Sequence, residues 1–342
     1  MTVTLKPLYE QVMVITGASS GIGLATARAA AKKGAKVVLA SRNKEALEEI
    51  EQQIKGEGGQ AIHVVADVGR SEDVQRIADA AARHFGGFDT WVNDAGVTIY
   101  GRLEEVSEED SRRLFDTNFW GLVSGSLIAA QHLKTRGGAI INIGSVLSDV
   151  AIPTQGMYSA SKHAVKGFTD ALRIELEEDK APVSVTLIKP SAINTPYTEH
   201  ARNYTDKALT LPPPVYAPEE VANAILHAAE HPKRDIIVGG GGKAMSSTNK
   251  YAPGMMDMAS RSMMTNMQLK DEPAQHHEGS LHQHGKDGKV HGNYDGHVMK
   301  TSLYTRASMH PVITSVVVAA ASAAAFALLG KNNIKQRIKS MK

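Results

Sequence analysis

Apolar residues along this chain gather in short unbroken runs, at 12–15, 36–40, 61–66, 139–144 and 235–238. Runs of this length are too short for buried helices and match strands covered on both faces. The stretches between them read as helices. Residues 24–33 are alanine-rich and stop at Gly34, a C-terminal signal. Ser107-Glu108-Glu109-Asp110 has the form of a capping box, and Ala217-Pro218-Glu219-Glu220 places proline in a first turn. Strand and helix alternate as far as residue 238, which predicts an α/β fold built on a doubly wound parallel sheet.

The first strand runs into Thr16-Gly17-Ala18-Ser19-Ser20-Gly21-Ile22-Gly23 and then a helix. Strand, glycine turn and helix form the context a dinucleotide site requires, which makes the fold Rossmann-like. Glycines let the backbone approach a pyrophosphate, whose charge sits at the helix N-terminus. The spacing G-x-x-x-G-x-G differs by one residue from the general fingerprint. After the second strand, an acidic residue would select NAD(H) by binding the ribose 2′-hydroxyl. Here Ser41-Arg42 follows instead, and a hydroxyl beside a guanidinium suits a 2′-phosphate, so the expected cofactor is NADP(H).

Tyr158-Ser159-Ala160-Ser161-Lys162 carries the chemistry. On a helix, positions i and i+4 share a face, so the Lys162 ammonium is expected to favour the Tyr158 phenolate. A free phenol, with a pKa near about 10, is otherwise a poor base at neutral pH. Ser145 lies upstream, just after the strand-like run 139–144.

These pieces, in this order, resemble the short-chain dehydrogenase/reductase family, from Thr16 to about Val238. Asp67-Val68 resembles the pair that meets the adenine, and Asn93-Asp94-Ala95-Gly96 the Asn-Asn-Ala-Gly element after the fourth strand. Asn118 matches the family's catalytic helix asparagine, and Ser145, Tyr158 and Lys162 complete the tetrad. The resemblance implies that Tyr158 is the general acid in carbonyl reduction and general base in alcohol oxidation. Lys162 would hold the nicotinamide ribose and lower the tyrosine pKa. Ser145 would hydrogen-bond the substrate oxygen, and Asn118 would hold a water on a proton relay.

The expected cofactor contacts are Gly17, Ser19, Ser20, Gly21, Ile22 and Gly23 in the turn, with Ser41 and Arg42 after the second strand. Asp67, Val68, Asn93, Ala95, Gly96, Tyr158, Lys162, Pro190, Ile193 and Thr195 complete the set. Two positions depart from the family pattern. Asp94 replaces the second asparagine, and Ser191 follows Pro190 where glycine is usual. Family resemblance also implies a homodimer or homotetramer.

Composition narrows the rest. The chain has 342 residues with 42% hydrophobic content, enough for a full core. A net charge of +2 gives no electrostatic case for nucleic acid, and the absence of cysteine excludes thiol chemistry and disulfides. Residues 1–11 have no apolar core of a signal peptide, so the catalytic body is expected in the cytosol. Residues 191–215 break the alternation and are expected to form a substrate lid or a mobile connector.

Four parts are expected: a catalytic domain at 1–243, a Met/His/Gly-rich extension or linker at 244–310, an apolar helix at 311–330 and a basic tail at 331–342. Within the extension, 271–300 reads as a solvated linker. Its histidines at 276, 277, 282 and 284 lack a framework for metal, and no metal site is expected. The uncharged run 312–329 would span about 27 Å as a helix, just short of a hydrocarbon core. It is expected to contact a membrane, with a buried or oligomerising helix as the other reading.

The leading functional expectation is an NADP(H)-dependent oxidoreductase interconverting a carbonyl and a secondary alcohol on a small apolar molecule. A catalytically silent NADP(H)-binding sensor or scaffold is the alternative, although such a protein has no need of Asn118, Ser145, Tyr158 and Lys162. Epimerase or dehydratase chemistry shares Tyr-x-x-x-Lys but usually comes with a different glycine spacing.

Overall fold

The structure is a computed structural model, and it describes residues 3–274, 277–311 and 314–315. Seven parallel strands make the central sheet: β1 (Val12–Thr16), β2 (Lys36–Ser41), β3 (Gln60–Val65), β4 (Thr90–Asn93), β5 (Gly138–Ile143), β6 (Val183–Pro190) and β7 (Asp235–Val238). Their spatial order is β3-β2-β1-β4-β5-β6-β7. The order reverses between β1 and β4, which leaves a crevice at the carboxyl ends of those strands.

Alternation along each strand divides the side chains between two cores. Met13 and Ile15 join Val37 and Leu39 on one face, while Val12 and Val14 join Val38 and Ala40 on the other. Each fully buried Val, Leu or Ile side chain contributes about 1.5–3 kcal/mol relative to exposure. On the first face lie α1 (Gly21–Lys32), α2 (Lys44–Gly56) and α7 (Pro218–Glu230). On the second lie α3 (Ser71–Phe85), α5 (Gly121–Leu133) and α6 (Gly156–Glu178).

Local chemistry sets the helix ends. Asn43 caps α2 by accepting from the Ala46 N–H at 3.1 Å. Ser107 likewise caps α4 (Glu108–Phe115) by accepting from the Asp110 N–H at 3.1 Å, the predicted start. A π turn, Asp116–Trp120, joins α4 to α5 and carries Asn118. Such single turns of π helix recur at functional sites.

The chain beyond β7 differs from the expected linker. The sequence boundary at residue 243 falls inside α8 (Gly240–Tyr251), which leaves directly from β7. Ser246 and Asn249 of α8 donate to Asp149, whose carboxylate also pairs with Lys166 and Lys189. Residues Leu269–Pro273 pair antiparallel with Lys207–Leu209, and Val298–Met299 pair parallel with Val215–Tyr216. Residues 277–300, read from sequence as a solvated linker, keep most side chains exposed, but the chain runs back across the carboxyl edge of the sheet and buries Ser280 and Leu281. Glycine-rich, polar sequence resembles linker, but here backbone carbonyls hold it to the body.

Among the described residues no helix is long and apolar enough to cross a membrane. The run 312–329, expected to reach one, lies outside the described residues except for Thr314 and Ser315.

Candidate active site

A cavity of about 330 Å³ opens at the crevice between β1 and β4. The ends of all six strands β1 to β6 reach its wall, through Gly17, Ser41, Asp67, Ala95, Ser145 and Pro190 among others. The glycine turn is shaped by contacts that no side chain tolerates. Gly17 has φ +71°, and a Cβ there would lie 2.9 Å from the Ala95 backbone. A Cβ on Gly23 would lie 2.3 Å from the Gly17 carbonyl. Glycine alone fits both places. Ser20 forms no side-chain cap on α1 and the first turn carries no acid, so the positive end of the helix faces the cavity.

Most expected contacts lie on the wall: Ser19, Ser20, Gly21, Ile22, Arg42, Val68, Gly96, Tyr158, Lys162, Ile193 and Thr195. Gly23, Asn93 and Asn118 do not; they stand behind it. Asn93, expected to face the cofactor, shares its strand face with Trp91. Its Oδ1 accepts from Trp91 Nε1 at 2.7 Å, and its Nδ2 donates to Asn142 at 2.8 Å and Ser126 at 3.0 Å. This buried network joins β4, β5 and α5. Asn118 exchanges two hydrogen bonds with Val97, N–H to Oδ1 at 2.8 Å and Nδ2 to carbonyl at 2.9 Å, and its Nδ2 also reaches Ser161. Both Nδ2 hydrogens and one Oδ1 lone pair are engaged with protein, so a relay water would have to meet the second lone pair or the backbone carbonyl.

Tyr158 and Lys162 stand one turn apart on α6, with the Lys162 Nζ 5.6 Å from the Tyr158 ring centroid. The ammonium donates to the Ile143 carbonyl at 2.9 Å, at the end of β5. Burial pushes the Tyr158 phenol up to about 12, although hydrogen bonds with Tyr197 and Ser145 oppose the rise. Burial also pulls Lys162 down to about 8, against the charge of Asp94. Desolvation disfavours the charged form of both groups. The phenol is consequently neutral, the form that can give a proton.

Ser145 begins a short 3₁₀ turn, where its Oγ accepts from the Leu147 N–H at 3.1 Å and its backbone N–H donates to Ser148. The two departures from the family pattern also find partners. The Ser191 hydroxyl donates to the Val238 carbonyl at 2.9 Å, tying β6 to β7. Asp94 is half-buried beside the Gly23 N–H and Lys162, and desolvation lifts its carboxyl to about 7. Thr16 steadies this loop, its Oγ1 accepting from the Asp94 and Ala95 N–H groups at 3.1 and 3.2 Å.

Sequence reading placed Tyr197 in the expected lid stretch but gave it no role at the site. Its ring meets Tyr158 edge-on at 5.8 Å, and its hydroxyl donates to Gln155 Oε1 at 3.1 Å while accepting from the Thr98 hydroxyl at 2.8 Å. It lies in residues 191–215, whose Leu211 and Pro212 also line the cavity, as a lid would. Missed altogether were Ser280, His284, Gly285 and Asp287 from the C-terminal segment, all on the cavity wall. The histidines of that segment separate: His277 meets the Asn203 carbonyl, and His282 meets Asp110. No group of residues that could hold a metal ion occurs among the described residues.

Comparison with known proteins agrees with this geometry. The family model for short chain dehydrogenase matches residues 11–207. An uncharacterized oxidoreductase of Bacillus subtilis, YxnA, is 47% identical over 92% of this chain and 90% of its own. An 11-beta-hydroxysteroid dehydrogenase A of Sesamum indicum is 38% identical over 58% of this chain and 57% of its own. Among solved structures, an alcohol dehydrogenase of the archaeon Thermococcus sibiricus, complexed with 5-hydroxy-NADP, superposes with a TM-score of 0.59. It shares 28% identity over 67% of this chain and 95% of its own. A glycine turn under a phenol and an ammonium on one helix, with a match of this extent, leaves one conclusion: the chain belongs to the short-chain dehydrogenase family and is an oxidoreductase.

Proposed function

We propose that this oxidoreductase interconverts a carbonyl and a secondary alcohol with NADP(H), and that Tyr158 is its proton donor and acceptor. The observation that carries this reading is the Tyr158 phenol, buried on the wall of the β1 crevice beside Ser145, with the Tyr197 ring edge-on to it and the Lys162 ammonium one helical turn away. A neutral phenol held in place is the state that general-acid catalysis requires.

The residues fit a nicotinamide dinucleotide. Gly17 and Gly23 form a cradle that a Cβ would fill, and the N-terminus of α1, whose Gly21 N–H meets the Lys289 carbonyl, faces it. Gly17 to Ile22 would hold the pyrophosphate, Asp67 and Val68 the adenine, and Lys162, Ile193 and Thr195 the nicotinamide end. Bound there, the group supplies or accepts a hydride at the substrate carbon. Ser145 and Tyr158 orient the substrate oxygen and stabilise negative charge as it develops. Tyr158 then gives that oxygen its proton in reduction, or takes it in oxidation. Lys162, tied to the Ile143 carbonyl, fixes the helix face from which the phenol acts.

Preference for NADP(H) rests on Arg42 and Ser41 on the wall after β2, where no carboxylate follows the strand. The inner wall, with Val146, Leu147, Ile152, Leu211, Met245 and Met264, favours an apolar substrate. The decisive experiment follows NADPH oxidation across a panel of apolar ketones and aldehydes, with NADH in parallel. Failure of every carbonyl to consume either nucleotide would reject the reading.

A further inference from the structure

The segment 280–289 crosses the mouth of the cavity at the end assigned above to adenosine. Arg42 donates through its guanidinium to three backbone carbonyls of this segment: Ser280, Leu281 and Gln283. Arg113 adds a bond to the Leu281 carbonyl at 3.2 Å, and Asn43 one to the Gly285 carbonyl at 3.3 Å. Further on, the Gly288 N–H donates to the Ser19 carbonyl at 2.8 Å. The Gly21 N–H, in the glycine turn itself, donates to the Lys289 carbonyl at 2.9 Å. The segment thus touches the end of β2 and both shoulders of the phosphate turn. From the opposite side His200 reaches the Lys286 carbonyl at 3.1 Å.

Two side chains show which way the segment faces. Leu281 is 0% exposed and packs into the same apolar cluster as Leu114 and Tyr158, so it anchors the crossing. Ser280 is 6% exposed and lines the cavity, and its Oγ has no hydrogen-bond partner. A buried hydroxyl left unpaired is costly unless a ligand satisfies it.

We propose that residues 280–289 are the outer wall of the nucleotide site. Ser280 presents its hydroxyl to the adenosine ribose beside Arg42, and the wall swings out to admit or release the dinucleotide. This rests on the NADP(H) reading above and adds a binding residue and an exchange step to it. The hold is made of neutral carbonyls on a charged guanidinium, and a 2′-phosphate is the stronger acceptor for the same N–H groups. The nucleotide therefore competes for Arg42, while Leu281 sets how readily the wall moves.

The test uses the full-length chain and NADPH. Release of NADPH is timed by its fluorescence in a stopped-flow displacement, and affinity is measured by titration. Leu281→Ala should release NADPH at least tenfold faster than the native chain, with a cooperative melt showing that the fold is kept. Ser280→Ala should weaken NADPH binding roughly tenfold. Deuterium exchange across 280–292 supplies a measurement that needs no variant: the amides of Ser280, Gly288 and Gly292, which donate to the His200, Ser19 and Asn194 carbonyls, should be protected in the native chain. Release rates within twofold of native in a folded Leu281→Ala protein, or exchange of the segment at the rate of a free peptide, would overturn the wall while leaving the oxidoreductase reading intact. Failure of any nicotinamide dinucleotide to bind would sink both.

Discussion

Asn118 and Val97 are joined by two reciprocal hydrogen bonds, at 2.8 and 2.9 Å, which pin the loop after β4 to the π turn beside α6. Asn118 is 1% exposed, so water cannot replace either bond. Replacing it with alanine would strand a buried N–H and a buried carbonyl. Each such group costs about 1–3 kcal/mol. Asn118→Ala should therefore lower the melting temperature markedly and reduce turnover together, because the loop carries Ala95 and Gly96 on the cavity wall. A melt unchanged from native would show that the pair contributes little.

Tyr158→Phe removes the proton donor and keeps the ring. Carbonyl reduction should fall by on the order of 10²–10⁴-fold. NADPH affinity, read by fluorescence titration, should stay within about threefold of native. Residual turnover close to native would move the proton-transfer role to another group.

Asp94 makes stability depend on pH. Its carboxyl is raised from 3.8 to about 7, chiefly by burial, so the folded protein holds that proton over a range where the unfolded chain has lost it. The destabilisation is absent below 3.8, grows as pH rises, and is complete above about 7. Asp94→Asn keeps an acceptor for the Gly23 N–H without the charge. At pH 8 the variant should melt higher than native, by on the order of 2–4 °C for each kcal/mol relieved. At pH 4 the two should melt together. Paired melts at the two pH values give the answer, and equal melting at both would place the carboxylate in a better solvated setting than the structure does.

Lys162 adds a second pH window with the opposite slope. Burial lowers it from 10.5 to about 8, so the cost of its charge is complete below about 8 and disappears as pH rises to the unfolded value. Lys162→Met should consequently melt higher than native at pH 7, and the difference should shrink toward pH 10.5. Thermal melts in the two buffers measure it; a variant less stable at pH 7 would mean that the bond to the Ile143 carbonyl outweighs desolvation.

Arg42 is expected to set nucleotide preference. A charge-assisted contact is worth about 1.5–3 kcal/mol, so Arg42→Ala should reduce the ratio of kcat/KM for NADPH over NADH by roughly ten- to a hundredfold. The ratio cancels any loosening of the segment that Arg42 also holds. An unchanged ratio would leave the 2′-phosphate unrecognised by this side chain.

Local spacing made much of the site legible. Tyr158 and Lys162 are one turn apart, and Gly17, Gly21 and Gly23 lie between a strand and a helix, so a few neighbouring residues define each feature. Five of the seven strands are legible as short apolar runs and β4 only through the family resemblance, whereas β6, interrupted by Ser184, Thr186 and Lys189, does not read as a strand. Asn93 misled because its neighbours in sequence do face the cavity, whereas strand alternation turns its side chain toward Trp91. Tyr197 and Ser280 gave no signal of a role at the site. The segment around Ser280 is held through its own carbonyls by Arg42 and Arg113, and backbone acceptors leave no mark on composition. Only Leu281 departs from the polar pattern, and one leucine does not announce a packed segment.

The distance along the chain between Arg42 and its carbonyl partners, 238 to 241 positions, has a consequence during synthesis. The parallel sheet can close once β7 has left the ribosome, because every strand is by then available. At that moment Leu114 and its neighbours still lack Leu281, and the phosphate turn still lacks its cover. Domains form from the N-terminus as they emerge, at about 5–20 residues per second. A nascent chain therefore passes several seconds as a finished sheet with an open crevice, the interval in which a nucleotide would meet the least obstruction.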